Sequence, residues 1–154
     1  MKKPSFLRVA TLSFVWFGLP MLPQPSVAQI YPPGTFSMDG IPVFCGQLPT
    51  VLDSSIPDAA MNNGQAILIN PAVVGTFPTE LKLWAYAHEC GHAIVGANEI
   101  GADCWAVVTG KHQGWFPPQA FGYLIQLFQN NPGNINHPPG PVRIQAMMQC
   151  YQQN

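Results

Sequence analysis

His88-Glu89-Cys90-Gly91-His92 is an H-E-x-x-H sequence, and it holds the residue types of a zinc site at helical spacing. On an α-helix, residues i and i+4 share a face about 6 Å apart along the axis. Two imidazoles placed in this way can meet one Zn²⁺ at about 2.0–2.1 Å each. Glu89 stands about 100° around the helix from His88, beside such a metal rather than on it. A carboxylate there can take a proton from an attacking water.

A zinc ion that acts on a substrate takes three protein ligands and keeps one position open. The other histidines are His112 and His137, and Glu99 is nearer in sequence than either. On an unbroken helix Glu99 would sit about 10 Å beyond His92, out of reach. Gly96 can take the positive φ that ends a helix and lets the chain fold back. Asp103 follows Glu99 by one helical turn on the same face. It can accept a hydrogen bond from a ligand histidine and so fix the ring and its tautomer.

These residues belong to a longer pattern. Asn98-Glu99-Ile100-Gly101-Ala102-Asp103 resembles the (N)E-x-x-A-D element of gluzincin metallopeptidases. With His88-Glu89-x-x-His92 it is similar to the CAAX prenyl protease family, whose relatives include membrane-bound and periplasmic quality-control proteases. Pro57-Asp58-Ala59-Ala60-Met61-Asn62-Asn63-Gly64-Gln65-Ala66-Ile67-Leu68-Ile69 resembles that family's N-A-F-x-x-x-G-x-x-I-x-I hairpin. His137-Pro138-Pro139 followed by Arg143-Ile144 resembles its T-H-P-P-x-x-x-R-I box. The resemblance spans residues 50–150.

It implies a zinc endopeptidase with one Zn²⁺ on His88, His92 and Glu99, Glu89 as general base, and a peptide or protein as substrate. It also implies that the His137 loop reaches the zinc cleft. There His137 either donates a hydrogen bond to the oxyanion or occupies the open zinc position and holds the enzyme latent. Arg143 would pair with a carboxylate such as Asp103 and dock the last helix. The chain departs from the family in four ways. The His92–Glu99 spacing is much shorter than in the larger members, and their membrane spans and repeat domains are missing. Asp58 stands in place of the hairpin Asn, and Asn136 in place of the Thr before the box histidine.

The chain has 154 residues, one domain's worth, with 8% charged and 47% hydrophobic residues. Ordinary soluble domains are about 25% charged. The composition excludes a disordered chain and a basic nucleic-acid binder. Lys2, Lys3 and Arg8 precede the apolar run Val9 to Leu22. That run is shorter than the roughly 20 residues a membrane helix needs. Pro23 and Pro25 follow it, and Ser26-Val27-Ala28 puts small residues at a cleavage site. Residues 1–28 therefore read as a secretory signal peptide, with export to the periplasm or medium and no stable membrane span after cleavage. Beyond it, Lys82, Lys111 and Arg143 face 7 carboxylates, a net −4. Such a surface offers nothing to phosphates or anionic lipid.

Cys45, Cys90, Cys104 and Cys150 all lie in the exported part, so two disulfides are expected, with three connectivities open. Cys90 falls about 200° from His88, on the back of the helix, and Cys104 follows Asp103. Both can staple the zinc-bearing helices, so Cys45–Cys90 with Cys104–Cys150 is the preferred pairing.

Residues 29–49 read as a Pro/Gly-rich lead-in and 50–154 as the peptidase domain. Thr50–Asp53, Ala59–Asn62 and Ala66–Ile69 read as strands, with Asn63-Gly64 as a hairpin turn. A helix capped by Thr79 runs to Gly96, and a second from Asn98 to a stop at Gly110. Gln119–Gln129 and Val142–Tyr151 are further helices. The expected fold is α+β: a small antiparallel meander packed on the active-site helix, with two to three more helices. The rival reading is a zinc-binding, non-proteolytic envelope interaction or chaperone-like protein. The intact Glu89 argues against it, since metal binding alone has no use for that residue. A scaffold held mainly by disulfides is a third reading, opposed by two zinc-ligand elements in order.

Overall fold

The structure, a computed structural model, describes residues 28–154. The expected signal peptide lies outside them apart from Ala28. The fold is α+β. Strands β1 (Gln29–Tyr31), β4 (Thr50–Leu52), β5 (Ala60–Asn62) and β6 (Ile67–Ile69) form one sheet in the order β1-β4-β6-β5. β2 (Phe36–Met38) and β3 (Ile41–Val43) form a separate antiparallel hairpin. The lead-in thus supplies three strands, one of them hydrogen-bonded to β4.

The strand order is not that of a simple meander. After β4 the chain crosses to the far edge, makes β5, and returns as β6 between the two. β6 is therefore antiparallel to β5 but parallel to β4. Side-chain burial explains the order. Ile67 and Ile69 are 0% and 2% exposed, so β6 takes the central place, where both edges are paired. β5 is left on the edge, and no strand among the described residues pairs with its outer side.

Asn70 caps the short helix α1 (Pro71–Val74) by accepting the Ala72 N–H. Helix α2 (Thr79–Val95) crosses the sheet and buries nine residues, from Leu81 to Gly91. Its cap is Pro78, not Thr79. Proline has no N–H to satisfy and its φ suits a helix start. Thr79 is instead the first helical residue, and its hydroxyl donates to Asp39 Oδ2 at 2.7 Å. Lys82 binds the same carboxylate at 2.9 Å, which fastens the β2–β3 turn to α2.

Helix α3 (Glu99–Gln113) does not stop at Gly110; it ends at Gly114, whose φ is 80°. Gly110 serves packing, since a Cβ there would lie 2.5 Å from Phe116 Cβ. Helix α4 (Phe121–Phe128) and helix α5 (Gly140–Gln153) close the far side, with Leu124 and Met147 fully buried between them and α2 and α3. No helix among the described residues is long and apolar enough to cross a membrane.

Cys45–Cys90 joins the turn after β3 to the back of α2, and Cys104–Cys150 joins α3 to α5, with Cα–Cα distances of 5.4 and 5.5 Å. Two disulfides indicate an oxidising, extracellular compartment. Peptide mapping without reduction should recover these two links and no free thiol. Replacing either pair by serine should cost about 2–4 kcal/mol in guanidinium unfolding. A mapped Cys45–Cys104 link would refute the arrangement.

Candidate metal centre

The helical spacing of His88 and His92 puts both rings on one face of α2, with Nε2 atoms 3.1 Å apart. The chain then reverses at Gly96, whose φ of 65° ends α2. Asn98 starts α3 by accepting the Gly101 N–H at 3.0 Å. Glu99 is therefore the first residue of a helix running back along α2. Its carboxylate lies 3.4 Å from both His88 Nε2 and His92 Nε2. One ligand atom from each of His88, His92 and Glu99 lies within 4.8 Å of the others.

A close helix approach makes this possible. A Cβ on Gly91 would stand 2.9 Å from Ala102 Cα and 3.0 Å from its carbonyl oxygen. Gly91 and Ala102 are both buried in the contact, between the two histidines on one helix and between Glu99 and Asp103 on the other. The H-E-x-x-H pattern leaves position 91 open, so nothing in the motif singles it out.

Each ring turns its Nδ1 toward an oxygen acceptor and its Nε2 toward the ligand group. His92 Nδ1 is 2.7 Å from the Gly96 carbonyl, which can only accept, so the proton sits on Nδ1. His88 Nδ1 is 3.0 Å from Asp103 Oδ1, a contact whose alignment falls short of a hydrogen bond. It nevertheless favours the same tautomer. With both rings neutral, as a metal would require, the two Nε2 atoms would turn lone pairs toward one point beside Glu99. Glu99 Oε2 is buried without a hydrogen-bond donor. Such a set could hold a metal ion, whose charge would satisfy the facing nitrogen and oxygen donors.

The charges agree. Asp103 is fully buried and takes a bidentate pair from Arg143 Nε and Nη2, both at 2.7 Å. Arg143 also lies 3.7 Å from Glu99 and 4.6 Å from the Phe128 ring centre. Glu89, Glu99 and Asp103 thus share one guanidinium, leaving two negative charges, which a divalent ion would match. Burial works against charge on Asp103, but Arg143 and His88 hold it below the usual carboxylate range. Glu99 is likewise held low against burial by the His88 ring. For His88, burial opposes protonation, yet Asp103 and Glu99 outweigh it and push the ring up to about 9. Without a metal, a proton supplies the positive charge.

Glu89 stands beside the ligand group, and its Oε2 accepts the Asn62 backbone N–H at 2.8 Å. His137 also reaches the site: its Nε2 is 3.5 Å from Glu99 Oε1, with 45% of its side chain exposed. Asn134 Oδ1 accepts the His137 backbone N–H at 2.9 Å and shapes the loop. His112 does not join them. It lies in the last turn of α3, 3.2 Å from the Asn154 carbonyl. Trp84 stacks on His88 at 5.3 Å, a contact that helical spacing alone does not assign to the site. An open cleft of about 1070 Å³ runs over these groups, lined also by Ala60, Met61, Phe77 and Leu127. No protein-family model, curated protein or solved structure matches the chain.

Two outcomes follow. Gly91→Ala should force α2 and α3 apart, costing about 1–3 kcal/mol in unfolding and weakening metal binding at least tenfold. Unchanged binding would show that the close approach is irrelevant to the ligands. Metal uptake must displace the His88 proton, so apparent affinity should rise with pH up to about 9 and level off above it. The rise should be about tenfold per pH unit for one displaced proton. Competition titrations across that range check it, and a flat profile would contradict it.

Proposed function

We propose that this protein is an exported, gluzincin-type zinc endopeptidase. The observation that carries the reading is the convergence of His88, His92 and Glu99 on one point, with Glu89 free of that ligand group and beside it. A carboxylate off the ligand group yet lining the same cleft stands where a general base is needed. The H-E-x-x-H and E-x-x-A-D resemblance adds to this, and the disulfides support an exported protein.

His88, His92 and Glu99 would hold the ion. When bound, Zn²⁺ supplies a Lewis acid that polarises the scissile carbonyl and lowers the pKa of a water toward ~7. Glu89 takes the proton of the attacking water and passes it to the leaving amine. Asp103 orients His88, and Arg143 holds Asp103 while anchoring α5 to the site. His137, on the cleft wall, donates a hydrogen bond to the developing oxyanion. The outer edge of β5 takes an extended peptide by main-chain hydrogen bonds, so the substrate must be unfolded locally.

Metal analysis and peptide cleavage on the same preparations test this. The wild type should carry one zinc per chain and cleave an unstructured peptide, and Glu99→Ala should lose the metal. Glu89→Gln should keep zinc and lose about 10²–10⁴ in kcat. His137→Phe should keep zinc and lose about 10²–10³; a gain in activity would make His137 a latch. A zinc-loaded wild type that cleaves nothing would leave the non-proteolytic zinc protein as the answer.

A further inference from the structure

We infer that Asn62 is a positioning residue that couples the substrate-holding edge of the sheet to the base Glu89; this rests on the peptidase reading above. Asn62 binds Glu89 at two points. Its backbone N–H donates to Glu89 Oε2, and its side-chain Nδ2 donates to the Glu89 backbone carbonyl, each at 2.8 Å. Its third group is engaged as well: Oδ1 accepts the Gly64 N–H at 2.8 Å, closing the turn that ends β5. The side chain is thereby fixed in the one orientation that offers its N–H to α2.

The strand register gives the pairing a consequence for substrate. Ala59 and Asn63 bond inward to β6, through Asn70 N–H to Ala59 carbonyl and Asn63 N–H to Ala66 carbonyl. Backbone direction alternates along an antiparallel strand, so Ala60 and Asn62 face the free edge. Glu89 already occupies the Asn62 N–H. An extended segment is left with the N–H and carbonyl of Ala60 and the carbonyl of Asn62. The donor row therefore ends where the base begins, and one residue sets both the limit of pairing and the aim of the carboxylate. A loose carboxylate would still be present, but it would be misaligned for proton transfer, and small misplacements cost rate steeply.

Asn62→Asp separates the parts. It keeps the acceptor for Gly64 but turns the donor facing the Glu89 carbonyl into an acceptor. Asn63→Asp is the control: it makes the same charge change next door and preserves the oxygen that accepts from Gln65 and Ala66. In the zinc-loaded protein, Asn62→Asp should retain metal affinity within about twofold and lose about tenfold to a hundredfold in kcat, with KM changed little. Asn63→Asp should match the wild type. Hydrogen exchange gives a second readout: the Asn62 amide should be protected in the wild type and lose protection in Glu89→Ala, while Ile67 and Ile69 keep theirs.

A wild type that cleaves peptide while Asn62→Asp cleaves it equally well overturns the role of Asn62 alone. So does an equal loss in Asn63→Asp, a fall in metal affinity alongside kcat, or an unprotected Asn62 amide. A zinc-loaded wild type without cleavage overturns the peptidase reading and this role with it.

Discussion

The contact between Gly91 and Ala102 is the constraint on which the candidate metal centre depends. Two helices joined by a short reversal can lie at many separations, and a side chain at position 91 would set a wider one. With hydrogen there instead, the α3 backbone comes against α2 between the two histidines. Glu99 and Asp103 then fall one turn apart on the near side of α3, where the first meets both Nε2 atoms and the second meets the His88 Nδ1. The ligands need no long loop to bring them together, because the geometry of two regular helices does so.

The same closeness has an electrostatic cost that the rest of the domain offsets. It gathers carboxylates where water is scarce, and among the described residues Arg143 is the fixed cation that reaches them. That guanidinium arrives from α5, lies against Phe128 of α4 and forms the pair with Asp103. A buried pair of this kind contributes less to net stability than to specifying one arrangement. Here it fixes how α5 docks on α3, and Cys104–Cys150 ties the same two helices. The sheet side is held differently, by Asn62 against Glu89 and by the Thr50 hydroxyl 3.0 Å from the Tyr86 hydroxyl.

Much of this centre could be read from the sequence, because its geometry is local. Helical spacing places His88 and His92 on one face, and Gly96 marks the reversal before Glu99. The Asp103–Arg143 pair follows from the resemblance rather than from spacing. Non-local features were harder to see. No local signal tells a strand that it will be inserted between two others, so the apolar run at Ile67–Ile69 looked the same in a meander as in a central position. Gly110 looked like a helix stop because a glycine required by the Trp115 and Phe116 rings has the same letter as one required by backbone angle. Asn62 fell at an unspecified position of the hairpin, and its two bonds to α2 exist only once sheet and helix have met.

The disulfides divide the chain in a way that bears on its survival. Their spans, Cys45 to Cys90 and Cys104 to Cys150, neither overlap nor nest. The covalent structure is therefore two closed rings in tandem, joined by a single bridge of chain. A nick inside either ring leaves the molecule in one piece, since the cystine still spans the break. Only a cut in the bridge would part the two halves, and His92, Glu99 and Asp103 all lie on that bridge. The linker that no cystine protects is thus the stretch that a bound ion would clamp, so metal loading would guard the one place where a single cleavage is fatal.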